Sequence, residues 1–327
     1  MTTLNDIAKH VGVTTTTVSW VLNNRQKEKR ISPSTCQRVR QAAQDLDYRP
    51  SFSAQSLAKG KTSSFGLVCG GLAYPFFAEM IDFAMHETRQ RNHHLLLAAT
   101  GWKLEAELEA FEMLLTRGVD GIMMYSNAVT PQTDQYRYIH RQQFPTVILG
   151  QKSGDLPLIQ TDFMPGMMQA VEHLKKRGCR SVGYVGHWPA SREKFPCFEQ
   201  ACQYHGMQAS KWPCQTPHES VLATSREFAH HRNRPDAAII IADNSAIVFM
   251  QGLFQEGLRV PDDVAVIGSD DISIGQYINP PLTTIARSSE MIVTQALDWL
   301  VEMTQQKKLL LGAELCVPTR LVVRQSA

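Results

Sequence analysis

Apolar residues in the first fifty positions recur at helical spacing. Ile7, Ala8 and Val11 share one face, Val18, Val21 and Leu22 a second, and Val39, Ala42, Ala43 and Leu46 a third. The punctuation between these stripes is equally regular. Thr3 with Asp6 three residues on is a capping box with Asp in place of Glu. Gly12 suits the left-handed stop of a first helix, Val13 places an apolar residue inside the turn, and Thr14 is a good N-cap for a second helix. Ser32-Pro33 opens a third helix, which ends where Pro50 pushes Arg49 towards an extended conformation. The pattern predicts a helix-turn-helix whose small core is closed by helix three, over residues 1–48. Residues 49–63 then form a link. The piece 51–61 is weakly helical and too short to be stable alone, and Ala54, Leu57 and Ala58 share a face that can meet a second copy of itself.

From Ser64 the period changes. Apolar runs at Phe65–Gly70, Leu95–Ala99, Gly121–Tyr125, Thr146–Leu149, Val182–Val185, Ala237–Ile241 and Val264–Ile267 read as strands. Between them, 76–91, 105–117, 166–176, 195–205, 220–231 and 245–256 read as helices. Such alternation predicts parallel sheets covered on both faces. The expected architecture for residues 64–327 is two doubly wound α/β lobes, with a ligand cleft at the carboxyl ends of the strands.

Charge sharpens this division. Residues 1–60 carry a net +5 and residues 61–327 a net −3, so the overall +2 hides a basic head on a mildly acidic body. That asymmetry fits nucleic-acid binding at one end only. A secretion leader is not expected from the polar, threonine-rich start. No uninterrupted apolar run approaches the roughly 20 residues that cross a membrane, which points to a cytoplasmic protein. Seven scattered cysteines suit reduced thiols. Cys197, Cys202, His205 and Cys214 match no metal-ligand spacing, so neither metal nor cofactor is expected.

The second helix carries the candidate chemistry. Thr14, Thr15, Thr16 and Thr17 run consecutively, although β-branched residues are mediocre helix formers. An ordinary helical hairpin gives no reason for them. Hydroxyls and methyls that meet phosphate oxygens and thymine methyls do. Rival functions lack their signatures. There is no G-x-G-x-x-G or G-x-S-x-G, and Gly60-Lys61-Thr62 has Gln55 where a phosphate loop needs its upstream glycine. Asp270-Asp271 alone is weak evidence for acid/base work. An enzyme is therefore not expected.

In Leu4 to Asn23, Ile31-Ser32-Pro33-Ser34-Thr35, Tyr48-Arg49-Pro50 and Ala54-Gln55-Ser56-Leu57, the chain resembles the lactose/galactose repressor (LacI/GalR) family of bacterial transcription regulators. The likeness continues through Pro75-Phe76-Phe77, Arg117 to Gly121, Glu172-His173-Leu174, Gly257 to Pro261, Gly268 to Asp271 and Pro280 to Thr284. It implies a homodimer on double-stranded, pseudo-palindromic operator DNA, with a body like periplasmic sugar-binding proteins that senses a sugar or sugar derivative. On that basis DNA contacts fall to Thr3, Thr14, Thr15, Thr16, Thr17, Ser19, Trp20 and Asn23, and from the hinge to Ser51, Ala54, Leu57 and Ala58. Leu57 takes the place of a minor-groove wedge.

The same resemblance assigns ligand contacts to Ala73, Tyr74, Phe76, Gln151, Lys194, Asp243, Asp270 and Arg287. Departures from the family pattern are informative. Trp20 replaces an arginine that reads guanine, and Gly150-Gln151 replaces Asp-Arg. Lys194 replaces an arginine, and Arg287 stands where glutamine or a similar polar residue is common. Two cations in the cleft favour an acidic or phosphorylated ligand. Asp162, Phe163 and Trp212 are further lining candidates, with surface and core readings open for each. No heptad tail follows Val323-Arg324, so assembly beyond the dimer is not expected.

Overall fold

The computed structural model describes residues 2–23, 29–49, 61–186, 192–214 and 218–327. The chain divides into two compact units, Met1–Thr62 and Ser63–Ala327.

In the head, α1 (Leu4–Val11), α2 (Thr15–Leu22) and α3 (Pro33–Asp45) enclose one core of Ile7, Ala8, Val11, Val18, Val21, Cys36, Val39 and Ala42. The caps form as their residue types demand. The Thr3 N–H donates to Asp6 Oδ2 at 2.9 Å, and the Asp6 N–H donates back to Thr3 Oγ1 at 3.3 Å. Gly12 takes φ 75°, and its N–H closes on the Ala8 carbonyl. Val13 packs half-buried against the core from inside the turn. Arg38 is exposed, yet its guanidinium donates to the Val11 carbonyl at the end of α1. The hinge positions Ser51, Ala54, Leu57 and Ala58 lie outside the described residues.

The body has two six-stranded sheets. Its first half runs β1 (Ser64–Cys69), α4 (Pro75–Gln90), β2 (His94–Ala99), α5 (Leu104–Thr116), β3 (Gly121–Tyr125), α6 (Asp134–Gln142), β4 (Thr146–Leu149) and β5 (Leu158–Asp162). There follow α7 (Met164–Lys176), β6 (Ser181–Gly186), α8 (Lys194–His205), β7 (Gln208–Pro213), α9 (His218–His230), β8 (Ala237–Ile240), α10 (Asp243–Gln255) and β9 (Ala265–Asp270). The chain closes with β10 (Thr283–Ala286), α11 (Ser289–Gln306), β11 (Glu314–Pro318) and β12 (Arg320–Val322). The first sheet has the order β11-β5-β4-β3-β1-β2 and the second β12-β10-β9-β8-β6-β7. Adjacent strands pair in parallel except β10 with β12, so one antiparallel edge strand departs from the all-parallel expectation.

Three crossovers join the lobes: Phe163 between β5 and α7, Arg287-Ser288 between β10 and α11, and Thr319 between β11 and β12. After the second, α11 packs on α4, β3 and β4 of the first lobe. The crossovers are tied closely. Thr319 donates to the Asp162 carbonyl through its N–H (3.0 Å) and its hydroxyl (2.8 Å). A Cβ on Gly166 would lie 2.5 Å from Ile285 Cγ2 and 2.6 Å from Thr319 Oγ1, so only glycine permits this approach. The lobes also meet through Glu79 of α4, whose Oε1 accepts from the Ser273 N–H (2.9 Å) and hydroxyl (2.7 Å).

Candidate functional sites

Two places in the molecule gather polar groups with work to do. The first is the outer face of α2. Val18 and Val21 turn into the core, leaving Thr14, Thr15 and Thr16 exposed and Thr17, Ser19 and Trp20 half-buried. The hydroxyls are not equivalent. Thr14 Oγ1 caps the Thr17 N–H (3.2 Å) and lies 3.0 Å from Thr17 Oγ1, so this pair is engaged within the helix. Thr3 likewise spends its hydroxyl on Asp6 Oδ2 at 2.8 Å. The Asn23 amide donates to the Ser19 carbonyl at 2.9 Å and to Ser19 Oγ at 3.2 Å. Among the described residues, the hydroxyls left without partners on this face are those of Thr15 and Thr16. Trp20 completes it, with the Lys29 ammonium 5.4 Å from its ring centroid. The helix has no charged side chain. Guanine readout by a bidentate Arg or Lys is therefore absent from it. What remains are methyls, hydroxyls and one indole N–H, a set suited to thymine methyls and to phosphates.

The second place lies between the lobes, where the carboxyl ends of both sheets converge. Lys194 opens α8 after β6, Asp270 ends β9, Arg287 follows β10, Tyr125 ends β3 and Phe163 follows β5. Residues scattered over 160 positions thus meet. Asp270 Oδ1 stands 3.5 Å from Arg287 Nη1 and 4.0 Å from Lys194 Nζ. The guanidinium of Arg287 lies 3.9 Å from the Phe76 ring centroid, and Lys194 Nζ lies 4.9 Å from that of Phe163. Asp270 Oδ1, Arg287 Nε and the Tyr125 hydroxyl are all buried without a hydrogen-bond partner among the described residues. Buried polar atoms are normally paired, so three orphans in one place require an explanation. Asp270 and Asp271 have φ of 121° and 58°, backbone that non-glycine residues adopt rarely and that concentrates at functional sites. Burial pushes the Lys194 ammonium pKa down, partly opposed by Asp270, and burial pushes the Tyr125 phenol up.

Both carboxylate oxygens of Asp243 are engaged within the fold. The residue is fully buried, Oδ2 accepts the Ile272 N–H at 2.9 Å, and Oδ1 accepts the Thr284 hydroxyl at 2.6 Å. Ile272 is inserted in the first lobe's core, so Asp243 ties α10 to the segment that bridges the lobes. Burial, followed by the charge of Asp270, raises the Asp243 carboxyl pKa to about 7. One face of the Phe76 ring is covered by the Arg287 guanidinium. Trp212 lies next to the end of β7 and is mostly buried. It packs in the second lobe's core on Phe228, with centroids 4.9 Å apart.

Ala73, Tyr74 and Gln151 are exposed. Tyr74 meets Trp102 edge-on at 6.4 Å, and Trp102 in turn meets Phe77 at 5.2 Å. The indole lies against Gly70, where a Cβ would come within 1.8 Å of its ring. Sequence reasoning missed Tyr125 and Trp102. Tyr125 ends an otherwise apolar strand and so reads as core, and its hydroxyl at a strand's carboxyl end was the available signal. Among the described residues no cluster of His, Cys, Asp and Glu could hold a metal ion, and no helix is long and apolar enough to cross a membrane.

Comparison with known proteins bears on both sites. Residues 3–51 match the family model described as bacterial regulatory proteins, lacI family, and residues 171–327 match that of a periplasmic binding protein-like domain. The HTH-type transcriptional repressor PurR of Vibrio campbellii (strain ATCC BAA-1116) is 30% identical over 324 residues, spanning 94% of this chain and 93% of that protein. The lac repressor dimer bound to operator and the anti-inducer ONPF superposes with a TM-score of 0.85 at 22% identity, over 99% of this chain and 98% of that one. A transcriptional regulator CelR–cellobiose complex superposes at 0.69 with 23% identity, over the full length of both chains.

Proposed function

Because the chain belongs to the lacI family of bacterial regulatory proteins, we propose that it is a repressor whose hold on operator DNA is set by a small polar molecule bound between its lobes. DNA binding and transcriptional regulation come with the family; the ligand and its site are our reading. One observation carries that reading: Asp270 Oδ1, Arg287 Nε and the Tyr125 hydroxyl are buried together at the strand ends without a close hydrogen bond, and Asp270 meets its two cations only at 3.5 and 4.0 Å. A ligand's hydroxyls would supply those bonds. The solved relative holding cellobiose makes a sugar or sugar derivative the natural class.

On this reading the head spans 1–48, the link 49–63 and the sensing body 64–327. Thr15, Thr16 and Trp20 are the base-reading side chains. Thr3, Thr14, Thr17, Ser19 and Asn23 hold backbone geometry and meet phosphates. Ser51, Ala54, Leu57 and Ala58 belong to the hinge that meets the minor groove of a symmetric site as two chains pair. In the cleft, Lys194, Asp270 and Arg287 provide charge and Tyr125 a hydroxyl. Ala73, Tyr74, Gln151 and Trp102 form the outer rim, and Asp243 positions the bridging segment. The protein works where the chromosome is accessible to it.

The test is to retain genomic DNA fragments on purified full-length protein, with and without a mixture of small sugars and sugar acids, and to sequence what is held. The proposal expects an enriched two-fold motif whose retention changes when the mixture is added. Retention that ignores every component, at concentrations that saturate binding to the body, would remove the sensing role.

A further inference from the structure

The proposed effector site has a charge imbalance that narrows its ligand. Two cations, Lys194 and Arg287, are gathered at a single carboxylate oxygen, at 4.0 and 3.5 Å. The other nearby carboxylates are committed elsewhere. Asp243 has one oxygen on the Ile272 N–H and the other on the Thr284 hydroxyl. Asp271 Oδ1 is bound by Arg324 Nη2 at 2.6 Å, Asp162 Oδ1 accepts the Met164 N–H at 3.0 Å, and Glu193 is exposed to solvent. Asp270 therefore serves two cations and makes a close hydrogen bond to neither. A buried charge without a partner is costly, and a charged hydrogen bond is about twice as strong as a neutral one.

The geometry of Arg287 shows where a second anion would go. Its plane is held by the Phe76 ring 3.9 Å away, one amino group points at Asp270, and Nε is buried and unpartnered. A guanidinium edge with a free Nε–H presents the fork that planar oxyanions match. The Tyr125 hydroxyl, buried beside Arg287 without a close hydrogen bond, lies near enough to feel the charges of both Arg287 and Asp270. It can donate to the same oxyanion or to a hydroxyl beside it.

We propose that the cleft takes an anionic effector, a small polyhydroxylated molecule whose carboxylate or phosphate sits between Arg287, Lys194 and the Tyr125 hydroxyl, while Asp270 accepts from a neighbouring ligand hydroxyl. This rests on the reading of the cleft as the effector site. It goes further by assigning the ligand's charge, and it makes Tyr125 a binding residue. The bound oxyanion gives Lys194 the second partner that Asp270 alone does not provide.

The experiment is calorimetry of the full-length protein at constant ionic strength. The probes are neutral monosaccharides, the matched aldonates and uronates, and the matched sugar phosphates. The expected result is that at least one acid binds while its neutral parent binds at least a hundredfold more weakly. Arg287→Gln should weaken that acid by roughly tenfold to a hundredfold, as loss of a charged hydrogen bond does. Arg287→Lys should recover part of it, which guards against a merely misfolded variant. Tyr125→Phe should cost a smaller factor. Carboxylates binding without phosphates, or the reverse, identifies which oxyanion the site takes. Neutral sugars binding as well as their acids, unaffected by Arg287→Gln, overturns the anionic assignment but leaves the effector cleft standing. Binding of neither class overturns both.

Discussion

The outer face of α2 and the cluster between the lobes arrange polar groups in opposite ways. On α2 no side chain is charged, Thr15 and Thr16 are exposed, and Trp20 is half-buried. Between the lobes, charges are concentrated and shielded, with the side chains of Asp270 and Arg287 only 8% and 12% exposed. The contrast follows from what each must recognise. Duplex DNA brings its own dense charge, so in the proposed function the basic surround of the head supplies attraction and the uncharged helix is left to discriminate bases. A small molecule entering a closed cleft loses its water, and only strong, fixed partners repay that loss.

The largest expected effect tests whether the head's core stands alone. Ile7 is fully buried in a core of only eight buried residues among the described ones. Ile7→Ala should cost about 2–5 kcal/mol, comparable to the whole stability of a unit this small. Calorimetry should show the head's transition lost, DNA binding gone and the body's transition unmoved. Movement of both transitions together would break the separation.

The next concerns buried charge and has a definite sign. Asp243 titrates near 7 in the fold against 3.8 when free, so the folded body holds this proton more tightly. Below about pH 4 both states are protonated and the group costs nothing. As the pH rises from about 4 to 7 the unfolded chain releases its proton first, and stability falls by a few kcal/mol in all. Asp243→Asn should flatten this slope in denaturant titrations at pH 5, 6 and 7. Its amide can still accept from Ile272 and donate to Thr284. An unchanged slope would show that Asp243 is not the group responsible.

A smaller loss is expected at the crossovers. Gly166→Ala forces a Cβ against Ile285 and Thr319, and overpacking of this kind costs about 1–3 kcal/mol. It should lower the body's melting temperature and leave the head's untouched.

The smallest effect is the sharpest test of α2. Replacing a contacted thymine by uracil deletes one methyl group and no hydrogen bond. Each such replacement should weaken binding by about 0.8 kcal/mol, a few-fold, if the methyl is buried against Thr15, Thr16 or Trp20. Gel-shift titration with uracil-substituted operator reads this directly, and indifference at every thymine would argue for readout by shape instead.

Much of the fold was visible in the pattern of residues. The strands Gly121–Tyr125 and Thr146–Leu149 coincide with their apolar runs because central parallel strands are buried on both faces. Of the four edge strands only β2 was visible, through its run Leu95–Ala99; the other three were not. Gln208–Pro213 is mostly exposed and has no reason to be apolar, and Glu314–Pro318 is similar. The helix Ser289–Gln306 carries a regular stripe of Ile292, Val293, Ala296, Leu297, Leu300 and Met303. The strand-and-helix reading stops at Ile267 and omits it. In the cleft, the positions of Lys194, Asp270 and Arg287 followed from family resemblance, but their mutual distances depend on three crossovers that no local pattern encodes. The double engagement of Asp243 is equally non-local, because its partners lie 29 and 41 residues away. On α2 the residue types were evident, whereas the division into engaged and free hydroxyls needed coordinates.

The central claim is that this chain selects an operator through α2. It is tested most directly by sequencing genomic fragments retained by the full-length protein and by its Trp20→Ala and Thr15→Ala/Thr16→Ala variants. The account predicts that the native protein enriches a two-fold symmetric motif rich in A·T pairs under α2. The variants should keep salt-dependent binding, with a slope of about −0.9 per phosphate neutralised, while losing preference at those positions alone. An unchanged motif in both variants, or no enriched motif from the native protein, would contradict it.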